Sequence, residues 1–192
     1  MSGLKFFDGG LTKDAKKIAI GIDQSYTGFA FTAMDIETGE WMTTVSKAPG
    51  THVDRLYWIG RNLENSLTAI AQSADEVVVA MEGYAFGSQL ANMAGELGGV
   101  VKLTCYMYLD GFEGKYPYII PPTTLKKYVT GKGQGIQKNQ ILLHVYKKWG
   151  IEFSDDNAAD SYALAHLVAG KAELAYEKEI FNNIQNPKYR EK

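Results

Sequence analysis

Three strand-length runs stand within the first 47 residues, "KKIAIGID", "GFAFTAMD" and "WMTTVSK", and only the turn-rich segments "QSYT" and "DIETGE" separate them. Parallel neighbours need a crossover of a dozen or more residues, whereas a short turn simply reverses the chain. The three runs therefore predict an antiparallel meander. The pattern then changes. In "HVDRLYWIGRNLENSLTAIAQS", Val53, Leu56, Tyr57, Ile59, Leu63, Leu67 and Ile70 recur at helical spacing with polar residues between them, which predicts an amphipathic helix. "EVVVAMEG" is a continuous apolar run of strand length, the signature of a strand covered on both faces.

Further on, "SQLANMAGELGGVVKLTCYMYLDG" reads as a long helix with Ser88 as a cap. Its small residues Ala91, Ala94, Gly95, Gly98 and Gly99 allow close approach to a neighbouring surface, by default the chain's own sheet. "YPYIIPP" reads as a short strand stopped by prolines, "TTLKKYVT" as a short helix and "GKGQG" as a loop. "IQKNQILLHVYKKWG" reads as a helix closed by Gly150, and "FSDDNAADSYALAHL" starts the last strong helix. The order, a meander followed by alternating helices and strands, suits an α/β fold with a mixed sheet and helices on both faces. Residues 1–16 are expected to form a flexible arm, 17–170 a single domain, and 171–192 a polar helical tail that frays at its end.

With 192 residues, 45% hydrophobic and 22% charged, the chain has the composition of a globular protein with one sizeable core. No apolar run reaches the roughly 18 residues of a spanning helix, and the start lacks an apolar signal-type segment. No membrane partner is expected. The single cysteine, Cys105, lies in an apolar stretch, which fits a reducing compartment and predicts a cytoplasmic protein. Net charge is −2, yet Lys115, Lys126, Lys127, Lys132, Lys138, Lys147 and Lys148 fall in a stretch without Asp or Glu. Such a segment reads either as a surface that meets phosphates or as a solvated lysine face.

The acids are the other signal. Asp23 ends the first strand, Glu82 ends the buried strand, and Asp155, Asp156 and Asp160 open the late helix. An acid at the end of an apolar strand also marks where that strand meets water. Jointly, however, neighbouring strands that end in acids set two carboxylates side by side, and a helix start can lay others across them. At about 100° per residue, Asp156 and Asp160 lie about 40° apart, Asn157 and Asp160 about 60°, and Asp155 and Asp160 about 140°. Asp155 is thus expected to take a separate role, as the N-cap or as a solvated acid. Carboxylates gathered together repel and call for cations. With no zinc-type Cys/His spacing in the chain, the expected cofactor is a hard divalent ion such as Mg²⁺. Two ions about 3.5–4 Å apart would serve in-line phosphoryl displacement. Acids and lysines then point to one substrate, a nucleic-acid backbone. His52, His144 and His166 show no sign of serving as a general base.

At these residues the sequence resembles the RuvC family of Holliday junction resolvases, within the RNase H-like superfamily, and most closely its phage-encoded members. The likeness runs over residues 17–168, through "GIDQSYTGFAF" with Asp23, "MEGYAFG" with Glu82, "PPTTLKKYVTGKGQGIQK" and "DDNAADSYALA" with Asp156 and Asp160. It implies an RNase H-like sheet, three antiparallel strands then parallel ones, and a homodimer. It also implies symmetrical nicking of four-way DNA junctions, dependent on Mg²⁺ with Mn²⁺ as a substitute, that leaves 5′-phosphate and 3′-hydroxyl ends, in recombination or in processing of phage DNA before packaging.

Asp23, Glu82 and Asp160 match the family's metal ligands. The fourth falls on Asp156 or Asn157, and Asp156 is chosen because a carboxylate is the better Mg²⁺ ligand. Lys138 matches the lysine that approaches the scissile phosphate. Lys126, Lys127 and Lys132 would position DNA, with the backbone amides of Gly131 and Gly133 close to the strand. Tyr84 and Phe86 match aromatics that wedge into the junction centre, and read equally as core residues. "GIDQSYTG" also resembles the first phosphate loop of actin-like ATPases and sugar kinases, but those need a second lobe and a second loop. A non-catalytic DNA-binding relative is the third reading.

Overall fold

A computed structural model describes residues 15–83 and 91–190 of the chain. The meander is present as β1 (Lys17–Asp23), β2 (Phe29–Asp35) and β3 (Trp41–Ser46), followed by α1 (His52–Ala71), β4 (Glu76–Glu82), α2 (Ala91–Tyr108) and β5 (Tyr118–Ile120). The remaining elements are α3 (Pro122–Thr130), α4 (Lys138–Trp149), α5 (Asp156–Val168) and α6 (Ala175–Ile184). The five strands form one sheet in the order β3-β2-β1-β4-β5. Antiparallel pairing runs from Ile18↔Asp35 to Asp23↔Ala30, and β4 joins β1 in parallel from Lys17↔Glu76 to Ile22↔Met81. β5 pairs in parallel with β4, from Ala80↔Tyr118 to Glu82↔Ile120. Helix α1 supplies the crossover that a parallel β1–β4 pair needs.

Alternation along the strands divides the core in two. Ile18, Ile20 and Ile22 of β1 and Val77, Val79 and Met81 of β4 bury against Ile59, Leu63 and Leu67 of α1 and Leu97, Val101 and Cys105 of α2. Ala19 of β1 and Val78 and Ala80 of β4 meet the opposite layer, where α3, α4, α5 and α6 contribute Leu125, Ile141, Val145, Leu164 and Ile180. Burial on both faces explains why these strands read as continuous apolar runs.

On the second face β1 is small, and this lets α5 approach it closely. A Cβ at Gly21 would lie 2.5 Å from the backbone nitrogen of Ala165, so only glycine fits between strand and helix. Between α1 and α2 a similar role falls to Gly60, where a Cβ would stand 3.1 Å from Val100. The small stripe on α2 is split: Gly98 is buried, while Cβ atoms at Gly95 and Gly99 would meet nothing within 4 Å, because the buried face of α2 is the one carrying Leu97, Val101 and Cys105.

The C-terminal segment is also unlike a fraying polar tail. Ile180 and Ile184 of α6 are buried, and the Arg190 guanidinium sits 3.9 Å over the Tyr118 ring of β5. At the other end of the described chain, the Lys16 carbonyl accepts the backbone amides of Asp75 and Glu76, which ties the entry of β1 to that of β4.

Candidate active site at the acidic edge of the sheet

The register brings two of the sequence-chosen acids together. Asp23 and Glu82 each follow directly on the last parallel pair, Ile22↔Met81, so they end adjacent strands whose axes lie about 4.8 Å apart. Side-chain alternation assigns their face. Asp23 follows Ala19 and Gly21, and Glu82 follows Val78 and Ala80, which are the positions turned toward α5. Asp23 is buried and Glu82 half-buried.

Helix α5 crosses that face at its N-terminal half. The Ser161 hydroxyl shares a 2.8 Å hydrogen bond with Thr32 of β2. The side-chain Nδ2 of Asn157, one turn earlier, would lie 2.7 Å from a Cβ on Gly28, just before β2. The helix start therefore lies over the strand ends where Asp23 and Glu82 stand. Tyr162 faces β3, with its ring 5.1 Å from that of Trp41. Asp160, about 200° from Tyr162 around the helix, then lies on the opposite flank, toward β4. Asp156 is on that same flank, farther from the sheet, and both acids are half-buried.

Of the two roles expected of it, Asp155 takes that of the cap. Its Oδ1 accepts the backbone N–H groups of Asn157 at 2.9 Å and Ala158 at 3.4 Å, satisfying two donors at the helix start.

The lysine segment is less uniform than its sequence suggests. Lys115 is paired with Asp110, Lys127 lies 3.8 Å from Glu179, and Lys148 lies 2.6 Å from Glu177. All three partners lie outside the acid-free stretch, so three of the seven lysines are at least partly neutralised from elsewhere in the chain. Lys126 is half-buried and Lys132 exposed. The loop that follows α3 folds back on it. Gly131 closes α3 in the left-handed region at φ 77°, and a Cβ on Gly133 would meet the Thr123 carbonyl at 3.2 Å. Because Thr123 lies in the first turn of α3, just past the end of β5, the loop returns to the same edge of the sheet as Asp23 and Glu82. Lys138 begins α4 immediately after it. The side chain of Lys138, together with Tyr84 and Phe86, lies outside the described residues.

One residue at this edge carried no expectation. Gln24 is buried, and its Nε2 donates a 2.6 Å hydrogen bond to the Glu82 carbonyl. Its only sequence signal was its place directly after the strand-ending acid.

The donor set at this edge is oxygen-only, which suits a hard divalent cation and not zinc or copper. Among the described residues no group of three or more His, Cys, Asp or Glu side chains stands closed around a metal position. Carboxylates repel one another, and a cation among them would draw such a set together. The chemistry of these oxygen donors fits the ion.

No family model matches the sequence, and no curated protein matches it. Solved structures do. A structure of Thermus thermophilus RuvC aligns with a TM-score of 0.60 at 19% identity, covering 91% of this chain and 98% of that one. T. thermophilus RuvC in complex with a Holliday junction substrate aligns with a TM-score of 0.58 at 19% identity, over 78% of this chain and 90% of that one. With the strand order, the mixed pairing and the helices on both faces, this likeness over nearly the whole chain shows that the protein has the RuvC fold, of the RNase H-like type.

Proposed function

We propose that the protein is a metal-dependent endonuclease that hydrolyses phosphodiester bonds in branched DNA, chiefly four-way junctions. The observation that carries this reading is the acidic edge. Asp23 and Glu82 end adjacent parallel strands on the face crossed by the start of α5, which carries Asp156 and Asp160, and the whole sits on a RuvC fold. Asp23, Glu82, Asp156 and Asp160 would hold Mg²⁺ or Mn²⁺, two ions per site. Metal bound there supplies Lewis-acid stabilisation to the scissile phosphate and acidity to the attacking water. In the reaction a water oxygen adds to phosphorus and the P–O3′ bond breaks, leaving 5′-phosphate and 3′-hydroxyl ends.

The chain's own groups position the strand. Lys138 opens α4 beside this edge and reaches the scissile phosphate. Lys126, Lys127 and Lys132, with the amides of Gly131 and Gly133, bind flanking phosphates, and Tyr84 and Phe86 enter the junction centre. Paired symmetrical nicks require two such sites, hence a homodimer. Val53, Tyr57 and Met107, which line one groove between α1 and α2, are exposed apolar residues that support it. The biological setting is recombination or the clearing of branches from phage DNA before packaging.

The test is incubation of synthetic four-way junctions and linear duplex with Mg²⁺, beside an Asp23→Asn variant. Junction-selective nicking lost in the variant is the expected result. Uncut junctions, or cutting that survives the substitution, overturn the reading, and metal-independent binding without cleavage would make the protein a non-catalytic junction binder.

A further inference from the structure

Gln24 lies where the β1–β4 ladder runs out. The Gly83 N–H donates to the Ile120 carbonyl on the β5 side at 2.8 Å. Across that trans peptide the Glu82 carbonyl points the other way, toward β1. The parallel register ends at Ile22↔Met81, and the Gln24 side chain donates to this carbonyl at 2.6 Å. This bond also fixes which way the amide faces. A flipped amide would set Oε1 against a carbonyl oxygen, two acceptors with no proton between them.

Oε1 is thus held in place, and it is buried with no hydrogen-bond partner among the described residues. Gln24 as a whole is only 8% exposed. Leaving a buried acceptor without a donor is costly, and this one belongs to the residue that follows Asp23 and is bonded to the end of β4. A ligand that satisfies this oxygen must donate a proton or be a cation. A phosphate oxygen does neither. A hydrated Mg²⁺ or Mn²⁺ does, since it keeps several waters whose hydrogens face outward.

We propose that Gln24 is a positioning residue for the divalent cation of the acidic edge, with Nε2 locked on the Glu82 carbonyl and Oε1 accepting a hydrogen bond from the ion's hydration shell. The inference rests on the metal-dependent reading above and deepens it. Gln24 ties the backbone of one ligand strand to the ion held by both, as outer-shell partners do in metal sites generally.

Two substitutions separate this role from a merely structural one. Gln24→Met removes both donor and acceptor. Gln24→Glu removes the donor to Glu82 but keeps an acceptor oxygen. If Gln24 serves only as a ladder rung, Gln24→Met lowers the melting temperature and leaves the Kd for Mn²⁺ unchanged, whereas Gln24→Glu draws the cation by its added charge in either case, so Gln24→Met is the deciding variant. Calorimetric titration of the full chain with Mn²⁺, alongside thermal melts without metal, reads the difference. The expected result is a Kd raised about tenfold in Gln24→Met and not raised in Gln24→Glu, with both melting temperatures lowered. Equal weakening in both variants, or no weakening in Gln24→Met, overturns the proposal. The Asp23→Asn variant distinguishes the two levels of failure. If wild-type Mn²⁺ binding is absent or survives Asp23→Asn, the metal-dependent function itself falls and this inference with it. If Asp23→Asn abolishes binding and Gln24→Met leaves it intact, Gln24 alone is misassigned.

Discussion

His166 shows how far a single side chain's chemistry depends on what surrounds it. It lies on α5 with its ring centroid 4.5 Å from that of Trp149, and its Nδ1 shares a 2.8 Å hydrogen bond with the Tyr128 hydroxyl. Burial pushes the imidazole from 6.5 down to about 4; the nearby charges of Lys148 and Lys171 add to the effect, and Glu177 opposes it. Above the unfolded pKa the ring is neutral in both states and costs nothing. As the pH falls from 6.5 to about 4, the unfolded chain takes up a proton that the folded protein refuses. Stability drops through that window, by about 3 kcal/mol in full. Urea melts at about pH 7.5 and about pH 4.5 should show a larger loss for wild type than for His166→Gln. Equal losses would show that the ring is not held neutral. In sequence, His166 was one polar residue in an apolar helix, and its aromatic neighbours come from segments dispersed along the chain.

At the scale of elements, α6 is the piece whose role the chain order concealed. Glu177 lies one turn into it, and its Oε2 accepts the backbone amides of Glu173 at 2.7 Å and Leu174 at 3.2 Å. Its other oxygen stands 2.6 Å from Lys148 of α4, whose Nζ also donates to the Tyr128 carbonyl of α3. Burial pushes the Glu177 carboxyl up, but the ion pair with Lys148 and the hydrogen bonds from those two amides outweigh it and hold the group below its usual range. One carboxylate therefore caps α6 and fastens it to α3 and α4. Ile180 and Ile184 complete the attachment in the second core. Ile184→Ala is expected to cost about 3 kcal/mol in chemical denaturation. A change within about 0.5 kcal/mol, the range of ordinary surface substitutions, would place α6 outside the cooperative fold. The tail's polar composition hid this because only one face of the helix is buried, with two isoleucines four residues apart and a single glutamate.

For the whole molecule, the balance of charge bears on the proposed encounter with DNA. Lys115, Lys127 and Lys148 have acidic partners, which leaves a smaller cationic set near the acidic edge than the lysine count suggests. Junction affinity should fall on the order of 100-fold between about 50 and 200 mM salt if three or four phosphates are contacted. Lys132→Ala should lower the log–log salt slope by about one, and a slope unchanged by it would remove Lys132 from the DNA surface. Among the described residues no helix is long and apolar enough to cross a membrane.

Local pattern alone determined the meander, the buried β4, the αL closure of α4 at Gly150 and the Asp155 cap, because each depends on residues near in sequence: turn length, periodicity or a side chain reaching its own helix. Tertiary structure decided the rest. The pairing of β4 with β1, which sets Asp23 beside Glu82, is a long-range register that no local signal encodes. The partners of the lysines, the neutral His166 and the locked amide of Gln24 likewise depend on groups far apart in the chain. Their energies come from burial and charge pairing, which exist only once the sheet and its two helical layers have closed.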